Sequence, residues 1–259
     1  MIKASGDRLI GLAGMNVVSA LCSLLALPVV GFPDPAVWPV LAVSVVLHNA
    51  YKVGLTRIYA HGDLGHAYPV ARGFSPIFAT VIAILVLGEY PGLPGLAGIL
   101  LISGGILAMS LDPAGRRPSP QLLVAAAATG FAVASYSVVD AYGSRLSGDW
   151  LCFSVWLMLL DGAVFVGVAS FARGRLLWTT IAREWGRTLV SGMLGVGAFC
   201  ALLWALSLGP VGGVTALRET SVLFASVIGW AVLKERWSLR RLQGVVLIAA
   251  GIAVFAAGA

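Results

Sequence analysis

Charge is what this chain has least of. Asp, Glu, Lys and Arg make up 11% of its 259 residues, against about 25% in a soluble domain, and 59% of the chain is hydrophobic. Most side chains therefore face something other than water, and no polar stretch is long enough to build a separate soluble domain. Cysteine is scarce too. Cys22, Cys152 and Cys200 lie far apart in or beside apolar runs with no CxxC pattern, which speaks against a disulfide framework or a thiolate metal site. His48, His61 and His66 give no ligand spacing on one helix face, the one alternative being His61 with His66 in a short loop, and no metal or other cofactor is expected. The chain has no glycine-rich Walker loop, so ATP drive would need a partner. A membrane-embedded enzyme would need a nucleophile with its base, or a metal cluster, at a bilayer surface, and neither is found. The first apolar segment has the length of an ordinary span and no small-x-small site follows it, so a cleaved signal peptide is not expected.

What the chain has is apolar runs of about 20 residues, the length one helix needs to cross a bilayer core of about 30 Å. Nine such spans are read, at 9–31, 38–60, 67–88, 93–111, 121–142, 151–171, 188–208, 212–233 and 240–258. Gly31-Phe32-Pro33-Asp34-Pro35, Glu89-Tyr90-Pro91-Gly92, Asp112-Pro113-Ala114-Gly115 and Gly209-Pro210 supply the turns between them. The fold expected is an all-α polytopic membrane protein. Trp38, Trp150, Trp178, Trp185 and Trp237 sit near span ends or in loops, as interfacial anchors do. Gly95/Gly98, Gly192/Gly195 and Ser103-Gly104-Gly105 permit close helix approach.

The spans form two copies. Residues 72–106 moved forward by 146 fall without a gap on 218–252, and 16 of 35 positions are identical, among them Arg72/Arg218, Glu89/Glu235, Gly98/Gly244 and Gly105/Gly251. Shared greasy composition does not readily put an Arg, a Glu and two glycines in one register. Two repeats follow, 1–112 with four helices and 113–259 with five, joined by the polar segment Asp112 to Pro120. The counterpart of Leu122 to Tyr142 would lie upstream of Met1, so the first repeat lacks its opening helix; either the start codon is set too late, which is the reading favoured, or the protein works with nine spans. A five-helix unit is odd, and its two copies insert in opposite directions, an inverted repeat common among transporters.

Alternating the loops between two sides collects Lys3, Arg8, Arg116, Arg117, Arg173, Arg175, Arg183, Arg187, Lys234, Arg236, Arg240 and Arg241 on one side and leaves only Arg145 opposite. The positive-inside bias makes the first side cytoplasmic and puts Ala259 outside. The net charge of +6 is this same topological signal and gives no ground for nucleic acid as a partner.

Tyr68-Pro69-Val70-Ala71-Arg72-Gly73-Phe74-Ser75-Pro76-Ile77-Phe78, the Gly88-Glu89 that closes that helix, Leu217-Arg218-Glu219-Thr220-Ser221-Val222-Leu223-Phe224, and Leu233-Lys234-Glu235-Arg236 before a Gly244…Gly251 helix resemble the EamA branch of the drug/metabolite transporter superfamily. The resemblance covers nearly the whole chain. It implies ten helices in two inverted five-helix repeats, a central substrate cavity, alternating access and, commonly, export of small metabolites. This chain departs from it in having nine spans and a charge pattern that puts the C-terminus outside.

Candidate site residues are the polar groups stranded in the spans, because a charge at mid-bilayer costs at least about 2.5 kcal/mol and usually faces a cavity or a partner. Four cations (Lys52, Arg57, Arg72, Arg218) and three anions (Asp140, Asp161, Glu219) remain once loops are set aside. His48, Asn49 and Lys52 share a span, with His48 and Lys52 on one face. Arg57 lies near its helix end, where snorkelling is the better reading. Pro76 denies the carbonyl of Arg72 its helical partner, so a break is expected in the third span and a milder one in the second copy, where Val222 replaces the proline. Tyr68, Arg72, Ser75 and Ala79 form one stripe, repeated in part by Arg218 and Ser221. Arg72 and Arg218 are read as recognition or gating cations on either side of a central site, the alternative being local pairing, for Arg218 with Asp140. The substrate-binding candidates are Arg72, Arg218, Lys52, Asn49, His48, Tyr68, Ser75 and Ser221. Glu219 and Asp161 are the proton-coupling candidates, since loss of water favours the uncharged form of a carboxyl group, with structural ion pairing as the alternative for each. Glu89 and Glu235, at helix ends, are read as structural.

Together these features point to a secondary transporter in the cell (inner) membrane, moving a small anionic or zwitterionic solute and not an enzyme. The alternatives are a membrane-embedded enzyme or a non-transporting scaffold. The partners expected are the substrate, coupled protons, the bilayer and a second copy of the chain as a homodimer.

Overall fold

The apolar runs become helices with few interruptions. The computed structural model describes residues 7–58, 64–110, 120–224 and 239–258, with side chains described except at 8, 55–58, 64–69, 110, 122 and 240. In chain order the helices are α1 (Arg8–Val30), a short 3-10 turn (Pro35–Val37), α2 (Trp38–Ile58), α3 (Leu64–Leu87), α4 (Gly92–Ser110), α5 (Pro120–Leu146), α6 (Trp150–Arg173), α7 (Arg175–Arg183), α8 (Trp185–Leu208), α9 (Val211–Glu219) and α10 (Leu239–Ala257). Among the described residues seven helices are long and apolar enough to cross a membrane, and Arg241–Ala257 forms a shorter apolar helix. The span read at 212–233 lies partly outside the described residues.

Local chemistry explains where helices start and stop. Asp7 caps α1 by accepting from the Leu9 amide at 3.0 Å, and Asp149 caps α6 from Leu151 and Cys152, each satisfying amides that the first turn leaves without partners. Gly31 and Gly174 close α1 and α6 at φ 68° and 53°, values that side chains rarely tolerate. Glu89 accepts the Val211 amide at 2.9 Å and so caps α9, the structural role read for it.

Two features differ from the sequence reading. Residues 175–183, taken as loop, form α7, which buries Leu177 and Ile181 against α1 and α6 and exposes Leu176 and Trp178. Nine residues are too few to cross a bilayer, so a search for long apolar runs passes over such a helix. The third span is also not broken: α3 runs without interruption through Arg72 and Pro76. One lost hydrogen bond is tolerated there because protein covers the loosened turn. A Cβ placed on Gly130 of α5 would stand 2.8 Å from the Ala71 carbonyl, and one on Gly73 2.7 Å from Leu107 of α4. The break falls in the second copy. At Thr220 the chain leaves α9 through tighter i→i+3 bonds, from the Thr220 amide to the Leu217 carbonyl and from the Leu223 amide to the Thr220 carbonyl. The Thr220 hydroxyl donates to the same Leu217 carbonyl at 2.7 Å, offering the backbone an alternative to the helical bond. The matching position in the first copy is Phe74, which has no such group.

The chain separates into two compact units, one formed by 1–56 and 139–208, the other by 57–138 and 209–259. Each draws helices from both halves of the sequence. In the first, Ile10, Ala13, Phe165, Ala169, Leu177 and Ile181 form a core between α1, α6 and α7. Trp156 donates to the Gly31 carbonyl at 2.8 Å, packs tilted against Phe32 and edge-on against Trp38, and so ties together the α1–α2 connection and α6.

In the second unit α4 and α10 form the most extensive helix pair, around Ile99, Ile102, Ile106, Ala216 and Ile248. Added Cβ atoms on Gly98 and Gly251 would lie 2.8 Å from each other's carbonyl oxygens, and one on Gly105 would lie 2.7 Å from that of Gly244. The pairing 98 with 251 and 105 with 244 runs antiparallel, and only glycine permits backbones to approach so closely.

Candidate functional site

The polar residues singled out in the sequence gather into two clusters, one in each unit. In the first unit, Asp161 of α6 accepts from Asn49 of α2 at 2.8 Å and pairs with Lys52, which also donates to Asn16 of α1 at 2.7 Å. The Lys52 ammonium stands 5.0 Å from the centroid of the Phe165 ring, on whose face a cation is attracted. One turn before Lys52, His48 contacts Asp140 of α5 through Nε2 at 2.9 Å, and the Ser44 hydroxyl donates to the other Asp140 oxygen. Asp140 is fully buried. Phe199 of α8 packs edge-on against the His48 ring. His48 and Lys52 do share one face, as their spacing requires, yet they reach different partners. The Asn49 amide nitrogen serves Val45 and Asp161, while its oxygen is buried with no hydrogen-bond partner among the described residues.

The second cluster centres on Glu219, the last residue of α9. Arg72 of α3 brings Nε to 2.6 Å from one oxygen and Arg218 brings Nε to 3.3 Å from the other. Arg72 also donates through Nη1 to Ser221 at 3.2 Å, just past the break at Thr220. The Glu219 side chain is 1% exposed, the two arginine side chains 24% and 25%. Each carboxylate oxygen lies within ion-pair distance of one arginine. The trio sums to one positive charge.

These contacts correct two expectations. Arg72 and Arg218 do not stand on opposite sides of a site; they converge on one carboxylate, because α3 and α9 pack against each other. The proposed local partner of Arg218, Asp140, is instead held by Ser44 and His48. Ser75 is buried, its hydroxyl unpartnered among the described residues, and no bond joins it to Arg72. The side chains of Tyr68 and Arg57, and all of Glu235 and His61, lie outside the described residues. Sequence reasoning missed Asn16 and Ser44. Ser44 stands one turn before His48, so helical spacing offered a signal for it, and Asn16 is a polar group within the first apolar run, though nothing local tied it to Lys52 on another helix. An open notch lined by Arg183, Glu184, Gly186 and Arg187 at the α7–α8 junction takes in none of the cluster residues.

Buried charges on apolar helices, each Lys or Arg facing a carboxylate, suit a membrane protein that handles polar solutes. A profile of the EamA-like transporter family matches residues 121–257. The chain belongs to this family. It is similar to the uncharacterized transporter YvbV of Bacillus subtilis (strain 168), with 26% identity over 225 residues that cover 83% of this chain and 70% of that protein. A solved crystal structure covers 95% of this chain and 86% of its own at a TM-score of 0.75 and 16% identity, a likeness of fold alone. As an EamA-family protein it is a multi-pass membrane transporter, and the two clusters place buried charge within its apolar helices.

Proposed function

We propose that this protein is a secondary transporter of the cell (inner) membrane that exports a small anionic or zwitterionic metabolite by alternating access. The observation that carries the reading is the convergence of Arg72 and Arg218, repeat-equivalent residues, on the buried Glu219. Two guanidiniums meet at one carboxylate, and Arg72 offers the fork geometry that suits a carboxylate. Over the described span charges as a whole the balance is even, with Lys52, Arg72 and Arg218 against Asp140, Asp161 and Glu219. The anion preference therefore rests on the arginine cluster and not on a general excess of cations. The Lys52–Asp161 pair presents both signs and would suit a zwitterion.

Two inverted repeats, 1–112 and 113–259, are part of the same proposal. The packing of α4 on α10 supports it: exchanging each residue with its partner 146 positions away turns the contact of Gly98 with Gly251 into that of Gly244 with Gly105, and the contact of Gly98 with Phe255 into that of Gly244 with Met109. Such exchange is the mark of a two-fold relation. Asp161 and Glu219 remain the groups proposed for proton coupling, each beside a cation.

Counterflow of labelled solutes in proteoliposomes tests the proposal. Anionic or zwitterionic solutes should exchange, and Arg72→Ala or Arg218→Ala should lower that exchange at least about tenfold, the effect of losing one charged contact, while the amount of folded protein stays the same. Undiminished exchange in both variants would remove the arginines from the substrate site.

A further inference from the structure

The acid at position 219 belongs to one repeat only: its counterpart in the first is Gly73, while the two arginines that hold it are repeat-equivalent. An ancestral symmetric arrangement would thus have set two guanidiniums together with no carboxylate between them. Glu219 fills that place from within. Its oxygens lie within ion-pair distance of both arginines but take no aligned hydrogen bond from the described residues. It is fully buried, whereas about a quarter of each arginine side chain stays exposed. Glu219 also sits directly before the Thr220 break, where i→i+3 bonding replaces the helical pattern and gives the backbone an alternative geometry.

We propose that Glu219 is an internal stand-in for the carboxylate of the substrate. It keeps Arg72 and Arg218 together in the empty protein and shares their guanidiniums when a solute carboxylate arrives, bringing the cluster to two cations and two anions. Glu219 then sets affinity by competition: it weakens the hold on the anion and so makes release possible. This rests on the reading of the arginine pair as the substrate's anion site.

The test is anion binding by the purified protein in phosphatidylcholine nanodiscs, read as the rise in melting temperature with succinate at constant ionic strength, with its uncharged diamide as control. A ligand that binds only the native state raises stability with its concentration over Kd. Glu219→Gln removes the competitor and should lower the half-saturating succinate concentration about tenfold or more, since one like charge nearby is lost. The diamide should have no effect on either protein. Arg72→Gln in the Glu219→Gln background should cancel the gain. Glu219→Asp, which keeps the charge but draws it back by one methylene, should fall between wild type and Glu219→Gln, and it serves if Glu219→Gln does not fold. Equal half-saturation in wild type and the Glu219 variants, or a gain that survives loss of Arg72, would overturn the proposal. The two readings fail separately: transport lost in Arg72→Ala and Arg218→Ala, with succinate affinity unchanged in Glu219→Gln, would leave the substrate site standing and remove only the competition.

Discussion

Lys52 and Asp161 show what a charge inside an apolar helix requires. Each is about one-seventh exposed at the side chain, so each needs the other. Removing one partner of such a pair leaves a charge with neither water nor counter-ion, at a cost of about 3–5 kcal/mol, whereas replacing both by apolar residues of similar size is often near neutral. Lys52→Met or Asp161→Leu alone should therefore lower the melting temperature of the detergent-solubilised protein markedly. The double variant should recover most of the loss, and additive losses would show that the two do not interact. At this scale the sequence disclosed which residues mattered but not with whom. His48, Lys52, Asp161, Arg72, Arg218 and Glu219 stood out as polar groups in apolar runs. His48 and Asp140, Lys52 and Asp161, and Arg72 and Ser221 stand 92, 109 and 149 residues apart along the chain, beyond the reach of any helical spacing, whereas Arg218 meets its sequence neighbour Glu219.

The helices were the most legible level, because hydropathy is a local property and a span of about 20 residues carries it many times over. Two elements escaped. The helix α7 is short and rich in arginine, and its apolar stripe shows only against the core it covers. The break expected at Pro76 lies instead at Thr220, because packing by Gly130 and Leu107 protects the first site while the threonine hydroxyl competes for the backbone at the second. Adjacent glycines of α4 test the close packing on α10. Gly105→Ala would push a methyl to 2.7 Å from the Gly244 carbonyl, and backbone does not yield cheaply, so a loss of about 1–3 kcal/mol is expected. Gly104 faces open space, and Gly104→Ala should be neutral or stabilise by up to about 1 kcal/mol through lost chain entropy. Thermal unfolding of the two variants side by side decides it; equal effects would mean that α4 does not approach α10 as described.

For the whole molecule, the arginine-rich face of α6, α7 and α8 and the lone Arg145 on the other side of α6 give an orientation that can be tested. In a background with Cys22, Cys152 and Cys200 replaced by serine, Thr179→Cys on α7 should react with a membrane-impermeant maleimide only in opened cells. Ser147→Cys, in the α5–α6 connection, should react in intact ones. The reverse pattern would invert the topology. The sequence alone determined that the chain is an all-helical membrane protein, that it carries a duplicated segment, and which few charges lie in its spans, since composition and register survive in the order of residues. Only the tertiary structure decided that Arg72 and Arg218 meet at Glu219, that Lys52 belongs to Asp161 and His48 to Asp140, and that the glycines of α4 and α10 face one another. Pairing is settled by which helices pack together, and helices that are apolar on most sides do not announce their neighbours in sequence.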